Sequence, residues 1–162
     1  KPLGTGLVLA ARADLGEAAR WMTTLNDRAA EVLRPFSPHA VTDVTGFGLL
    51  GHAYETAARS GVLLRLQAGA LPALAGALEA ARAGVRTGGD PRNREFAAGR
   101  VASDGVPEEL LALAYDAQTA GGLLVALPAE QALSLQAEFA RAGLFLARIG
   151  SVEEGAGVVL EP

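Results

Sequence analysis

The stretch from Ala40 to Gln67 constrains the fold most. Ala40 to Val44 is a short apolar, β-branched run. Gly46, Gly48 and Gly51 follow it, and Leu49 to Arg59 carries apolar residues at helical spacing before Gly61 closes the run. Val62 to Gln67 ("VLLRLQ") then reads as another strand. A strand, a glycine turn, a helix and a strand in immediate succession cannot bury their apolar sides separately. They require a layer of helix on a layer of sheet.

The flanking sequence extends the same alternation. Gly6 to Arg12 ("GLVLAAR") reads as a strand, and Asp14 with Glu17 reads as a capping box opening a helix to about Leu33. Pro35 and Pro38 stop that helix. Pro72 is expected to open a helix to Arg82, with Gly84 past its end. Val85 to Gly105, rich in Gly, Arg and Asp, reads as a long mobile loop with one short helix near Arg94 to Ala98. A helix from Pro107 to Tyr115, a turn "DAQTAGG", a strand Leu123 to Leu127 and a helix Ala129 to Ala142 ended by Gly143 follow. Leu144 to Ile149 and Gly157 to Leu160 are expected to close the chain as a hairpin. The fold class is α/β (α+β), a mixed sheet with helices packed on it, in a single domain over 1–162.

Composition narrows the chemistry. Hydrophobic residues make up 50% of the chain and aromatics 5%, so the core is built from Leu, Val and Ala. A net charge of -4 leaves no basic footprint for nucleic acid. The absence of Cys excludes disulfides, thiolate metal sites and a thiol nucleophile within this chain, and a reducing, cytoplasmic setting is the expectation. No apolar run approaches the roughly 20 residues of a membrane span, and no signal segment opens the chain. The first residue is Lys1, and "KPLGTG" begins in mid-phrase, which suggests a piece of a longer protein.

Gly46, Gly48 and Gly51 spell G-x-G-x-x-G, the dinucleotide fingerprint. The fingerprint also needs an acid about 20 residues on, for the ribose. After Glu55 no acid occurs before Glu79, so NAD binding is disfavoured. Asp43 redirects the question. It ends a strand just ahead of a helix, where open α/β sheets hold ligands. A carboxylate there repels phosphate unless Mg²⁺ lies between them, and Mg²⁺ favours one or two carboxylates plus phosphate oxygens. Thr42 and Thr45 flank it with hydroxyls. The competing reading is that Asp43 caps the following turn.

Other candidates carry similar pairs of readings. "KPLGTG", with Lys1 and Thr5, is either an anion cradle or a turn. "DAQTAGG" presents Asp116, Gln118 and Thr119 in a tight turn. His39 and His52, 13 apart, lack a third ligand at metal spacing and read as surface or cap residues. Asp90, Arg92, Asn93 and Arg94 form either a solvated loop or a phosphate-holding one.

Three phrases in order, "KPLGTG" at 1–6, "AVTDVTGFGLLGH" at 40–52 and "DAQTAGGLLVAL" at 116–127, resemble the selenophosphate synthetase (selenide, water dikinase) family over nearly the whole chain. They match its carboxyl-terminal half. The resemblance implies the aminoimidazole-ribonucleotide synthetase superfamily and a partly ferredoxin-like sheet with helices. The implied activity is synthesis of selenophosphate, AMP and phosphate from ATP, selenide and water with Mg²⁺. It implies Asp43 as a metal ligand, with Thr45, Gly46 and Gly48 beside the ATP phosphates. It also implies an amino-terminal half of the same polypeptide, bearing the catalytic Cys or selenocysteine, a Lys and most metal carboxylates, and a homodimer. The fragment alone is expected to be inactive. Where the family reads D-P-Q-T-S-G-G, this chain has Ala117 and Ala120 in place of Pro and Ser. The alternatives are a thiamine-phosphate kinase, an aminoimidazole-ribonucleotide synthetase or a hydrogenase-maturation dehydratase, or a stand-alone regulatory binding domain. The maturation dehydratase is expected to end in Cys, and this chain ends "VVLEP".

Overall fold

The computed structural model describes residues 1–13 and 15–162, so the cap assigned to Asp14 lies outside the described residues. The first element corrects the sequence reading. "GLVLAAR" is not a strand but part of helix α1 (Thr5–Ala11). A short apolar run does not reveal its period. Here distant side chains decide: the opening amides of α1 are taken by Gln118 and Asp116, which favours a helical start. The long helix expected next is broken in two, α2 (Leu15–Thr23) and α3 (Asp27–Leu33), with a short 3₁₀ turn at Arg34–Phe36 holding Pro35. Glu17 turns its carboxylate to the Trp21 indole and the Ala75 amide.

Strand β1 (Ala40–Asp43), helix α4 (Gly48–Ser60) with Gly61 at its end, and strand β2 (Val62–Gln67) match the reading of the opening stretch. Helix α5 is shorter than expected, Ala77–Arg82. Residues after Pro72 are drawn into an extended pairing with the chain start, where Leu3 donates to Pro72 and Leu74 to Leu3. The segment 85–105 is less of a loop than expected: the short helix read near 94–98 is present but starts four residues earlier, and a strand follows it. It folds into α6 (Asp90–Ala97) and β3 (Val101–Ala102). Helix α7 (Glu108–Tyr115), β4 (Leu123–Ala126) and α8 (Ala132–Arg141) follow close to the expected bounds.

The closing pair differs from the expected hairpin. β5 is Gly150–Glu154, not 144–149, and β6 is Gly157–Glu161. Leu144 and Leu146 turn instead into the apolar cluster under α8. β5 and β6 do not pair with each other but straddle β2, antiparallel on one side and parallel on the other. The result is a four-stranded mixed sheet, β3-β6-β2-β5, beside a separate antiparallel ribbon of β1 and β4. Leu64, Leu66, Val158 and Leu160 face the helices and form the main core with Leu50, Ala53 and Ala57 of α4 and Leu113 of α7. The opposite sheet face is polar, with Arg65 bridging Glu153 and Glu161 across three strands. A smaller cluster, Leu33, Leu135 and Phe139, lies where α3 and α8 meet under β4.

Leu113 is fully buried between α4, α5 and α7, so Leu113→Ala is expected to cost about 2–5 kcal/mol in urea unfolding. Leu133→Ala, on the exposed side of α8, is expected to stay within about 0.5 kcal/mol. Equal losses would show that the core does not lie where the sheet and helices place it.

Candidate functional site

Two of the glycine-bearing phrases satisfy one another. The α1 amides of Gly4 and Thr5 donate to Gln118 Oε1 at 3.1 and 3.3 Å, and those of Gly6 and Leu7 to Asp116 Oδ2 at 2.9 and 3.2 Å. The Thr5 hydroxyl donates to Gln118 Oε1 and accepts the Thr119 amide. Lys1 Nζ donates to the Ala120 carbonyl. The amides proposed to cradle an anion are thus occupied by side chains of "DAQT". Asp116 is 1% exposed and its Oδ1 has no partner among the described residues. Burial pushes its carboxyl up to about 6, against the opposing pull of the Leu7 amide, Gln118 and the Gly6 amide.

The same turn reaches the third phrase. Gln118 donates its amide to Thr45 O at 3.0 Å, and Val44 donates to Gly122 O at 2.8 Å. Thr45 is also held from the helix that follows. Buried His52 accepts the Thr45 amide at Nε2 (3.0 Å), with the Thr45 hydroxyl at 3.1 Å from the same nitrogen. An acceptor Nε2 places the ring proton on Nδ1, on the side of Glu55 at 3.8 Å. Spacing alone reads His52 as a surface or cap residue, whereas the structure buries it against Thr45. Its seven-residue spacing from Thr45 within one motif was the signal for its role as a brace. Exposed His39 takes no part in this arrangement.

Asp43 heads this braced turn. It is exposed at the end of β1, paired through the backbone with Leu123. Among the described residues, no hydrogen bond or ion pair engages its carboxylate. It does not act as a cap. The three fingerprint glycines separate by cause. Gly48 has φ 69°, and a Cβ there would come 2.7 Å from the Tyr115 carbonyl. A Cβ on Gly51 would meet Phe47 Cβ at 2.7 Å. Packing inside the domain therefore accounts for both. Gly46 lacks a positive φ, and a Cβ there would meet nothing within 4 Å.

The cluster at 90–94 is drawn to the same place. Asn93 is buried and donates from Nδ2 to Gly46 O and to Tyr115 O, both at 2.9 Å. Asp90 is buried in an ion pair with Arg94. Arg92 stays exposed. No group of three or more potential metal-ligating side chains occurs among the described residues. An apolar cavity of about 120 Å³ between Trp21, Leu49, Leu124, Phe139 and Ile149 lies between the two clusters and is not lined by Asp43.

Comparison with known proteins bears on this arrangement. Residues 4–161 match the family model for the AIR synthase related protein, C-terminal domain. A selenide, water dikinase of Trichlorobacter lovleyi is 42% identical over 160 residues, covering 94% of this chain and 46% of that protein. The chain thus spans about half the length of the curated relatives it matches. Thiamine-monophosphate kinase from Stenotrophomonas maltophilia superposes with a TM-score of 0.67 at 23% identity, over 98% of this chain and 47% of its own. The hydrogenase maturation protein HypE, solved in complex with ATP, superposes with a TM-score of 0.60 at 23% identity, over 98% and 44%. These two likenesses concern the fold.

The raised carboxyl of Asp116 has a definite sign. Its folded state holds a proton more tightly than the unfolded chain, so its contribution is fully present below about pH 4 and is lost as pH rises through about 6. Asp116→Asn keeps the acceptor for the α1 amides and removes the titration. Between pH 4 and 8, the native chain is expected to lose on the order of 1–3 kcal/mol relative to that variant in urea unfolding. Parallel pH profiles would show that Asp116 is not buried as a strained acid.

Proposed function

We propose, for a chain that belongs to the AIR synthase related family of carboxyl-terminal domains, that it is the carboxyl-terminal half of a selenophosphate synthetase. In the whole protein it serves the conversion of ATP, selenide and water to selenophosphate, AMP and phosphate. The observation that carries this reading is Asp43: an exposed carboxylate without a partner among the described residues, on a turn braced from three directions, beside a glycine with open space. The 42% identity to a selenide, water dikinase supports the same assignment.

Asp43 fits Mg²⁺ as one hard oxygen donor, and the chain needs further carboxylates from elsewhere to complete a phosphate clamp. The amino-terminal half of the same polypeptide supplies them, and the whole protein works as a cytoplasmic homodimer. When bound, Mg²⁺ would supply neutralisation of charge on the transferring phosphoryl group. Asp43 holds and orients the metal from the carboxyl-terminal side. Thr45 and Gly46 line the approach of the ATP phosphates, with Gly46 admitting closest contact, and buried Gly48 acts behind them by turning the chain into α4. The amino-terminal end of the 13-residue α4 opens beside this turn, and its dipole favours anionic oxygens there. No described helix is long and apolar enough to cross a membrane. Nucleic acid has no place in this reading.

In the full-length protein, Asp43→Asn is expected to lower selenide-dependent ATP turnover by about 10²–10³-fold. Near-normal turnover would overturn the metal role. Gly46→Ala is expected to leave unfolding within about 0.5 kcal/mol while turnover falls clearly. An unchanged rate would remove Gly46 from the site. Turnover with thiamine monophosphate in place of selenide would support the kinase alternative instead.

A further inference from the structure

We infer that Asn93 is a positioning residue for the Asp43 turn, and that α6 is the element that carries it there. The inference rests on the metal reading of Asp43 and extends it to a segment that reading leaves unused. The buried face of α6 is Asp90, Asn93 and Ala97, at helical spacing. Two of these three are polar, in a helix packed against α4 and α7. A buried polar side chain costs stability unless its hydrogen bonds are made. The amide of Asn93 makes both of its donor bonds, to Gly46 O and to Tyr115 O. Each acceptor is a backbone carbonyl, one in the Asp43 turn and one at the end of α7.

Asn93 therefore ties the turn to α7. The link falls on Gly46, the glycine that has neither a left-handed φ nor a neighbour to require it. A second contact from α6 reinforces the first. Phe96 stacks on Phe47, the residue after Gly46, with ring centroids 5.7 Å apart and planes 22° apart. α6 is itself clamped, because Arg94 pairs with Asp90 at 2.8 Å and with Glu108 of α7 at 2.7 Å. The chain of contacts runs from α7 through the Arg94 pairs to α6, and from Asn93 to the turn that presents Asp43. Supports of this kind around a metal ligand typically change metal affinity or activity by about 10–100-fold when removed. Asn93 touches neither metal nor phosphate in this scheme and acts only through Gly46.

The test uses two readouts on Asn93→Ala, Asn93→Gln and Leu135→Ala, the last a packing variant in the separate cluster under α8. The first readout is hydrogen–deuterium exchange of this 162-residue chain. Asn93→Ala is expected to speed exchange in peptides covering residues 44–50, and Leu135→Ala is not. The second is the Mg²⁺ concentration giving half-maximal turnover of the full-length protein. It is expected to rise about 10-fold or more in Asn93→Ala, to recover in part in Asn93→Gln, and to stay put in Leu135→Ala. Equal behaviour of Asn93→Ala and Leu135→Ala in both readouts would reduce Asn93 to general stability and overturn the inference. Asp43→Asn, run alongside, separates the two failures. If it leaves turnover and Mg²⁺ dependence intact, the metal reading falls and the inference with it. If it abolishes turnover while Asn93→Ala follows the packing variant, only the inference falls.

Discussion

The first amides of α1 have no helical partners, and the groups that satisfy them come from more than a hundred residues further along the chain. Asp116 Oδ2 takes two of these amides and Gln118 Oε1 takes two more. Hydrogen bonds to a charged acceptor contribute roughly 1.5–3 kcal/mol, and a buried polar group left unmade costs a comparable amount. The junction therefore stands or falls together. Without it α1 has no reason to be helical, and the turn at 116–122 has no reason to be tight. Ala120 sits in that turn at φ 51°, a left-handed conformation that costs a non-glycine residue roughly 1–2 kcal/mol. The conformation persists because the neighbouring groups are fixed on both sides: Lys1 binds the Ala120 carbonyl, and Asn26 Nδ2 binds the Gly121 carbonyl at 3.0 Å.

From this junction the order spreads to Asp43. Gln118 holds α1 with its side chain and Thr45 with its backbone amide. Gly122 holds Val44, and Asn93 and His52 complete the support. A turn whose carbonyls at 45 and 46 and whose amides at 44 and 45 are all engaged has few ways to move. The backbone that carries its exposed carboxylate is thereby fixed, while the carboxylate itself has no partner among the described residues. A fixed backbone would lower the ordering cost for a metal ligand at this position. The raised carboxyl of Asp116 is the cost of this rigidity, a buried acid kept where its oxygen can cap a helix.

The legible parts of this chain were those governed by local period and punctuation. The β1, α4 and β2 sequence followed from a strand run, a glycine turn and Gly61. The position of Asp43 was legible too, at the end of a strand run and in front of a helix, and the structure leaves it exposed there. What stayed hidden depended on partners far away in sequence. "GLVLAAR" has no clear period, and its helical state is set by Asp116 and Gln118. The closing strands kept their turn, but nothing local reveals that β2 slides between them. That outcome depends on Gly150 lying against the Arg65 carbonyl, where a side chain would not fit. Segment 85–105 reads as a loop with only a short helix near 94–98 because the buried face of α6 is polar. Period-based reading weighs apolar residues, and Asp90 and Asn93 are invisible to it.

The glycines sharpen what kind of site this is. A glycine can be required by the backbone, by a neighbour or by something that arrives from outside. Gly48 answers to the first two, with its left-handed φ and the Tyr115 carbonyl. Gly51 answers to the second, against Phe47. Gly46 answers to neither, though it lies between Thr45 and Phe47, which are both fixed. A residue free to carry a side chain, in a turn supported from three sides, beside a carboxylate without a partner among the described residues, is what the proposed close approach of a ligand would require. On the proposed reading the carboxylate sets the ligand class: Asp43 alone would repel phosphate, so a phosphate approaching it would bring a cation, and that cation would need further oxygen donors beyond this chain. Asp43 separates this turn from a dinucleotide loop, where glycine amides meet pyrophosphate with no acid between them.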